Sequence, residues 1–308
     1  MVRESAPGKV ILLGEHAVVY GRPAIAVPVP QVRATAQMEP AAPGEGLTLV
    51  AADLNRRVRL GEGEPQDPLV AIARLTLEHL QAPEPDAVLT LSSTIPIAGG
   101  MGSGAAVSTA IVRALAAFLK KDLSPDTVSR LVYEVEKIHH GTPSGIDNTV
   151  VAYEQPVYFV RDRQVETFTP GAPLHLLIAD SGIPSPTKEV VADVRAAWEA
   201  QPARYDFLFD RIGEVVEEAR EAIEVGDLYT LGTLMDQNHE LLRRVGVSSE
   251  ELEEMVEAAR YAGALGAKLS GAGRGGNVVV LVEEFAADEV EEVLLAAGAK
   301  RVIYAVVE

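Results

Sequence analysis

Between Ile95 and Ala110 the chain reads IPIAGGMGSGAAVSTA, with four glycines and one serine in the six positions from Gly99 to Gly104, running straight into an alanine-rich helical pattern. Glycine loses more conformational freedom on ordering than any other residue, so a run of it before a helix needs a physical reason. One reason is that bare backbone N–H groups at a helix N-terminus form a concave anion site, which the helix dipole also favours. The other is a tight turn whose glycines serve helix packing, and the run alone does not separate the two.

Two familiar phosphate loops can be tested against it. A Walker loop needs Gly-Lys-Ser/Thr at its end, and no lysine follows Gly104. Gly100 to Ala105 does match the dinucleotide pattern G-x-G-x-x-A after a strand-like Val88 to Leu91. That fingerprint also requires a second strand ending in an acid about 20 residues on, whereas Ala105 to Lys120 reads as helix and Asp122 follows it directly.

The rest of the chain narrows the partners. With 308 residues, 47% of them hydrophobic, it can bury one large core or two smaller ones. A formal net charge of -18 opposes nucleic-acid binding through phosphate neutralisation and obliges any phosphate site to supply its own donors. Without cysteine there is no disulfide framework and no thiolate metal site. The N-terminus lacks a secretory pattern and no apolar run approaches about 18 residues, so a cytoplasmic protein with no membrane partner is expected.

Strands are expected at Lys9–Leu13, Val32–Met38, Leu47–Val50 and Val88–Leu91, and helices at Pro68–Leu80 and Ser103–Lys120, with a third from Ser124-Pro125-Asp126 to about Ile138. The polar stretch Arg161 to Pro173 is the best domain boundary, giving an N-terminal domain over 1–168 and a C-terminal one over 169–308. Beyond it the chain reads as largely helical to Ala267: Thr187–Ala200, Tyr205–Val225, Leu228–Val245 and a helix opened by Ser248 and Glu251 in capping-box spacing. The tail reads strand, glycine turn, strand, helix, strand, an α+β half of antiparallel character.

Two further segments carry chemistry-bearing residues. In APGKVILLGEHAVVYGRPAIA, residues 6–26, Lys9 enters a strand and Glu15 and His16 leave its end. Taken alone, Lys9 reads as a surface lysine laying its stem on apolar neighbours. In EKIHHGTPSGIDN, residues 136–148, Glu136 sits on the last turn of a helix and Asp147 follows Pro143 and Gly145. His139 and His140 lack metal-binding spacing and read as helix-end or solvent residues.

Those segments, with the glycine run and KLSGAGRGGNVVVL at 268–281, resemble the GHMP small-molecule kinases, and GEHAVVYG with HGTPSGIDN is similar to the members that phosphorylate mevalonate. The resemblance spans nearly the whole chain and includes LLRRVGVS at 241–248. It implies a two-domain α+β fold, an N-terminal ribosomal-S5-like α/β domain and a C-terminal ferredoxin-like α+β domain with the active site in the cleft between them. It implies transfer of the γ-phosphoryl group of ATP to the C5 hydroxyl of (R)-mevalonate, with phosphomevalonate or the C3 hydroxyl of mevalonate as alternative acceptors, and a homodimer as the common assembly.

Matched residue by residue, Pro96, Ile97, Ala98, Gly99, Gly100, Met101, Gly102, Ser103, Gly104, Ala105 and Ala106 would wrap the ATP phosphates, and Gly271, Ala272 and Gly273 would close over the nucleotide. Glu136, with Ser103, would bind Mg2+. Asp147 would act as base, Lys9 would pair with it, and Glu15, His16 and Thr187 would line the substrate pocket, with Lys188 beside Thr187 in the same element. Three positions depart from the family pattern: Gly104 stands where a second serine is usual, Arg274 where a glycine is, and Asn277 where cysteine or aspartate is. A water could stand in for the missing hydroxyl, since magnesium keeps water ligands readily. Arg274 would be either a phosphate clamp or a solvent-facing charge.

Overall fold

Strict alternation from Val32 to Met38, V-R-A-T-A-Q-M, is the pattern of a strand with one buried face. In the computed structural model, which describes residues 1–96, 99–140, 143–161 and 163–308 with His139 and His140 as helix backbone, Val32, Ala34, Ala36 and Met38 are buried and the residues between them are half-exposed. The chain divides into two units, each assembled from separate segments: Met1–Gly8, Val32–Pro96 and Gly102–Glu154 in the first, Lys9–Gln31, Ile97–Met101 and Gln155–Glu308 in the second.

Strands β1 (Val2–Leu13) and β2 (Ala24–Pro40) pair with each other, and each contributes residues to both units. The first unit continues with β3 (Leu47–Ala51), β4 (Arg56–Arg59), α1 (Pro68–His79), β5 (Ala87–Ser93), α2 (Ser103–Phe118), α3 (Pro125–His140) and α4 (Ile146–Tyr153). Its strands run β4-β3-β5-β2, with β3 parallel to β5 and the other pairs antiparallel. Asp67 caps α1 by accepting from the N–H groups of Leu69 (2.9 Å) and Val70 (3.2 Å), with Pro68 in the first turn. Helix α2 is the most apolar of the set, and Ala106, Ala110, Ile111 and Ala114 are fully buried.

The second unit adds β6 (Val157–Phe159), β7 (Glu166–Thr167), β8 (Leu174–Asp180), α5 (Thr187–Ala200), α6 (Pro202–Val225), α7 (Leu228–Val245), α8 (Glu250–Tyr261), β9 (Gly266–Ser270), β10 (Asn277–Val282), α9 (Ala287–Ala296) and β11 (Arg301–Val307). The start of β2 pairs with β6, and β6 with β7. The remaining strands form an antiparallel sheet in the order β11-β8-β10-β9, the α+β half expected of the tail. Strand β10 is buried at every position, as a central strand covered on both faces should be.

The structure corrects the element reading at four places. Strand β8 lies in the stretch read as largely helical, because LHLLIAD is a short continuous apolar run whose periodicity does not distinguish strand from helix. Strand β7 lies inside the polar stretch 161–173. Helix α4 occupies what reads as a turn after α3. Helix α8 begins at Glu250 with Ser249 at its N-cap, so Ser248 and Glu251 do not form the reciprocal box. Among the described residues no helix is long and apolar enough to cross a membrane.

Candidate active site

In the first unit the glycine run ends at a helix start. Gly102 is the N-cap of α2 in the left-handed region (φ 70°), which only glycine enters freely, and no side chain caps the helix, so the first N–H groups after Ser103 are not taken by a capping oxygen. Ser103 is half-buried and Gly104 exposed. A Cβ built on Gly104 would sit 3.4 Å from Oε1 of Glu136, which places the α3 carboxylate against the first turn of α2. Glu136 is half-buried.

Asp147 lies half-buried in the first turn of α4, where the helix dipole favours a negative charge. Its neighbours explain its fixed position. Asn148 is buried and donates to the carbonyl (3.1 Å) and hydroxyl (2.9 Å) of Ser129 on α3, while Thr149 donates to the Gly145 carbonyl (2.6 Å). At the far end Glu154 pairs with Arg33 and Arg113, and Arg113 also donates to the Ala152 carbonyl (2.9 Å), closing the helix C-terminus with cations. A pocket of about 280 Å³ lined by His79, Arg130, Tyr133 and Glu134 opens on α1 and α3 and contains none of the expected site residues.

In the second unit Lys9 is 3% exposed, so it is a buried strand lysine and not one laid along the surface. Its backbone N–H donates to the Met101 carbonyl (3.0 Å), and the side-chain amide of Asn277 donates to the Gly99 carbonyl, so the first half of the glycine run is tied down at both ends. Ser270 donates to the Ile11 carbonyl (2.9 Å), joining β9 to β1 beside Lys9. Glu15 and His16 are buried in the turn after β1. Nε2 of His16 lies 2.9 Å from the Ala272 carbonyl; since a carbonyl only accepts, Nε2 carries the proton and Nδ1 is left as an acceptor.

Thr187 and Lys188 are exposed in the first turn of α5. The loop before them is fastened to the second glycine run by Ser185, whose hydroxyl donates to the Gly273 carbonyl (2.7 Å). Arg274 is exposed, paired with Asp193 and bonded to the Gly246 carbonyl (3.3 Å), so its guanidinium is held by protein groups. Ile97 and Ala98 lie outside the described residues, as do the His139 and His140 side chains.

Two histidines are kept neutral by burial. His16 is lowered from 6.5 to about 4, mainly by desolvation, with its bond to Ala272 opposing and Arg274 adding to the fall. His239 is lowered to about 3 by desolvation and by the charges of Arg260, Lys268 and Arg243. The Leu269 N–H donates to its Nδ1 (3.3 Å), so the proton sits on Nε2, 3.2 Å from Glu253. Between pH 6.5 and these values the unfolded chain holds protons that the native one does not, so stability falls with acidification through that window, by about 1.4 kcal/mol per pH unit for each histidine. Urea titrations from pH 7 to 4 should show this slope, and His239→Gln should flatten it by about 1.4 kcal/mol per unit; an unchanged slope would rule out His239 as a source.

Comparison with known proteins bears on what these halves are for. Residues 68–155 match the GHMP kinases N terminal domain and residues 219–300 the GHMP kinases C terminal domain. Mevalonate kinase of Thermococcus sibiricus is 34% identical over 317 residues, covering 96% of this chain and 94% of that one. The chain belongs to the mevalonate kinase family of the GHMP kinases. The Aeropyrum pernix mevalonate kinase is 35% identical over 92% of this kinase and 89% of its own length. L. major mevalonate kinase, solved in complex with R-mevalonate, superimposes with a TM-score of 0.85 at 31% identity over 100% of this chain and 96% of that one.

Three residues that hold the kinase's site segments carry no mark in the sequence reading above, Asn148, Asn238 and Lys268, and Asn277 stands there only as a departure from the family pattern. Lys268 left a readable signal. It stands inside Gly266–Ser270, a strand buried at every position, where a lysine is sustained only by a partner. Asn148 looks like an ordinary turn residue, and nothing in its neighbours distinguishes it.

Proposed function

We propose that this kinase transfers the γ-phosphoryl group of ATP to the C5 hydroxyl of (R)-mevalonate. The observation that carries the reading is the near-full-length relation to mevalonate kinases, one of them solved with R-mevalonate bound. In the reaction the C5 oxygen forms a bond to the γ-phosphorus, the bond from that phosphorus to the bridging oxygen breaks, ADP leaves, and the hydroxyl proton passes to a base. Such transfers ask for positioning and charge stabilisation more than for covalent catalysis.

The residues take parts accordingly. The uncapped N-terminus of α2 offers N–H donors to the phosphates. Asp147 polarises the C5 hydroxyl and accepts its proton as the bond forms. Lys9, buried on β1, takes the part of the lysine that reaches the γ-phosphate in the family pattern. His16, neutral and with Nδ1 free to accept, presents an acceptor that suits a substrate hydroxyl. Glu136 supplies a hard carboxylate oxygen for Mg2+, with Ser103 as a second donor. Among the described residues no group of three or more His, Asp or Glu could enclose an ion, which fits magnesium, since it takes one or two carboxylates plus substrate phosphates and keeps its waters. When bound, the ion neutralises charge on the transferring phosphates. The reading places the enzyme in the cytoplasm, with a homodimer as its assembly.

The test is ADP release with ATP and magnesium across mevalonate, 5-phosphomevalonate, homoserine and galactose, with phosphorus NMR of the product. Turnover of mevalonate alone to the 5-phosphate is expected; turnover of another acceptor in its place would overturn the assignment. Gly104 gives a second check. A serine there has room against Glu136, so Gly104→Ser should fold normally and lower the magnesium concentration for half-maximal rate by roughly threefold or more, as a hydroxyl replaces a water ligand. An unchanged magnesium dependence would remove position 104 from the metal site.

A further inference from the structure

Two ionised side chains lie deeper than the proposed chemistry requires. Lys268 is 0% exposed and Glu15 is 1% exposed, and the two form an ion pair although 253 residues separate them in sequence. Lys268 also donates to the Leu269 carbonyl (2.6 Å), and the other oxygen of Glu15 accepts from the side-chain amide of Asn238 (3.3 Å), itself fully buried. The Asn238 carbonyl oxygen in turn accepts from the Gly14 N–H (3.4 Å). Taking two charges out of water costs several kcal/mol per ion, and apolar residues of the same size usually stabilise a fold at least as well. Stability therefore does not account for the pair, and its geometry has to.

What the pair holds is a turn under strain. Gly14 has φ 97° and His16 φ 61° with ψ -50°, a positive-φ backbone that a non-glycine residue keeps only when its surroundings enforce it. Adjacent side chains of that turn are pinned at two points: Glu15 to Lys268 on β9, and His16 to the carbonyl of Ala272 in the glycine run that follows β9. Asn238 adds a third hold, on the backbone of Gly14. Both oxygens of Glu15 are engaged inside this arrangement.

We infer that Lys268, acting through Glu15 and supported by Asn238, is a positioning residue that sets the imidazole of His16 for mevalonate binding, and that Glu15 serves as the anchor of this clamp. The inference rests on the reading of His16 as a mevalonate-pocket residue. Lys268 is fully buried and bonded to Glu15 and the Leu269 carbonyl, so its loss acts through His16, on acceptor affinity more than on the nucleotide.

The experiment compares Lys268→Met, Lys268→Met with Glu15→Gln, Asn238→Ala and His16→Ala by steady-state kinetics, thermal unfolding and NMR titration of the His16 ring. The double variant and Asn238→Ala keep the proposal testable if Lys268→Met alone, which strands a buried carboxylate, does not fold. The folded clamp variants are expected to raise KM for mevalonate about tenfold, as 1.4 kcal/mol of lost positioning would, to leave KM for ATP within about twofold, and to move the His16 titration up from about 4 toward 6.5 as the ring loses its enforced burial. Clamp variants with a lowered thermal midpoint but unchanged mevalonate KM and His16 titration would overturn the proposal in favour of a purely structural pair. If His16→Ala raises mevalonate KM and the clamp variants do not, the clamp alone falls. If His16→Ala itself leaves mevalonate KM unchanged, the pocket reading of His16 falls and takes the clamp's role in binding with it.

Discussion

Asp147→Asn is expected to lower kcat for mevalonate by roughly 10²- to 10⁴-fold while ATP binding survives. The amide has the size of the carboxylate and keeps its place in the first turn of α4, which Asn148, Thr149 and Glu154 hold independently. Losing a charge at a helix N-terminus costs only about 0.3 to 1 kcal/mol, so the protein should stay folded. In the proposed role of Asp147, the substitution removes the group that takes the hydroxyl proton and aligns the C5 oxygen. Fluorescence titration with an ATP analogue, run beside the ADP-release assay, separates the two effects. A variant that keeps kcat within tenfold would remove Asp147 from the base's role.

The largest expected effect of a single substitution on stability is at Gly232, in the second turn of α7. By helix propensity alone, alanine there should stabilise by about 1 kcal/mol. The structure reverses the sign. A Cβ on Gly232 would lie 2.1 Å from the Leu265 carbonyl oxygen and 2.5 Å from its carbon, and a Cβ on Gly266 would lie 2.2 Å from the Gly232 carbonyl oxygen. The two glycines let the α7 backbone rest directly on the entrance to β9. Leu265 cannot yield easily, because its N–H is bonded to the Leu281 carbonyl of β10 at 2.8 Å. Gly232→Ala should therefore cost about 3 kcal/mol and lower the thermal midpoint by about 6 to 12 °C. A midpoint within about 2 °C of the parent would mean that helix and strand slide apart without penalty.

Legibility in the sequence followed the range of the interactions. Helices α1, α3 and α5 to α7 were readable within a few residues because their signals are local: Asp67 before Pro68, Ser124 before Pro125, glycines after Val225 and Val245. Strand β8 was not, since its short apolar run is explained only by β10 and β11 on either side. The glycine runs, Glu136 and Asp147 stood out as chemistry-bearing types in marked turns, and family resemblance gave them roles. Lys9 illustrates the limit, because composition favours an exposed lysine and only the packing of β1 buries it. The side chains that brace the site were less visible still: Lys268 needs Glu15, and Asn277 needs Gly99, 178 residues away.

The interleaving of the two units also bears on how the molecule is made. Residues emerge from a ribosome in order, and the first unit needs nothing beyond Glu154. The second unit takes Lys9 to Gln31 from the start of the chain, and these cannot find Lys268, Ser270 and Ala272 until more than 200 further residues have appeared. Contacts this distant are slow to form because loop closure must precede any gain from them. During synthesis the strand carrying Lys9 can pair with β2 at once but lacks its contacts to β9, and such uncovered apolar surface is the state in which chains aggregate or recruit chaperones. Glu15 and His16 thus reach their final contacts last, and on the proposed reading of His16 a nascent or truncated chain that lacks β9 is expected to be inert toward mevalonate.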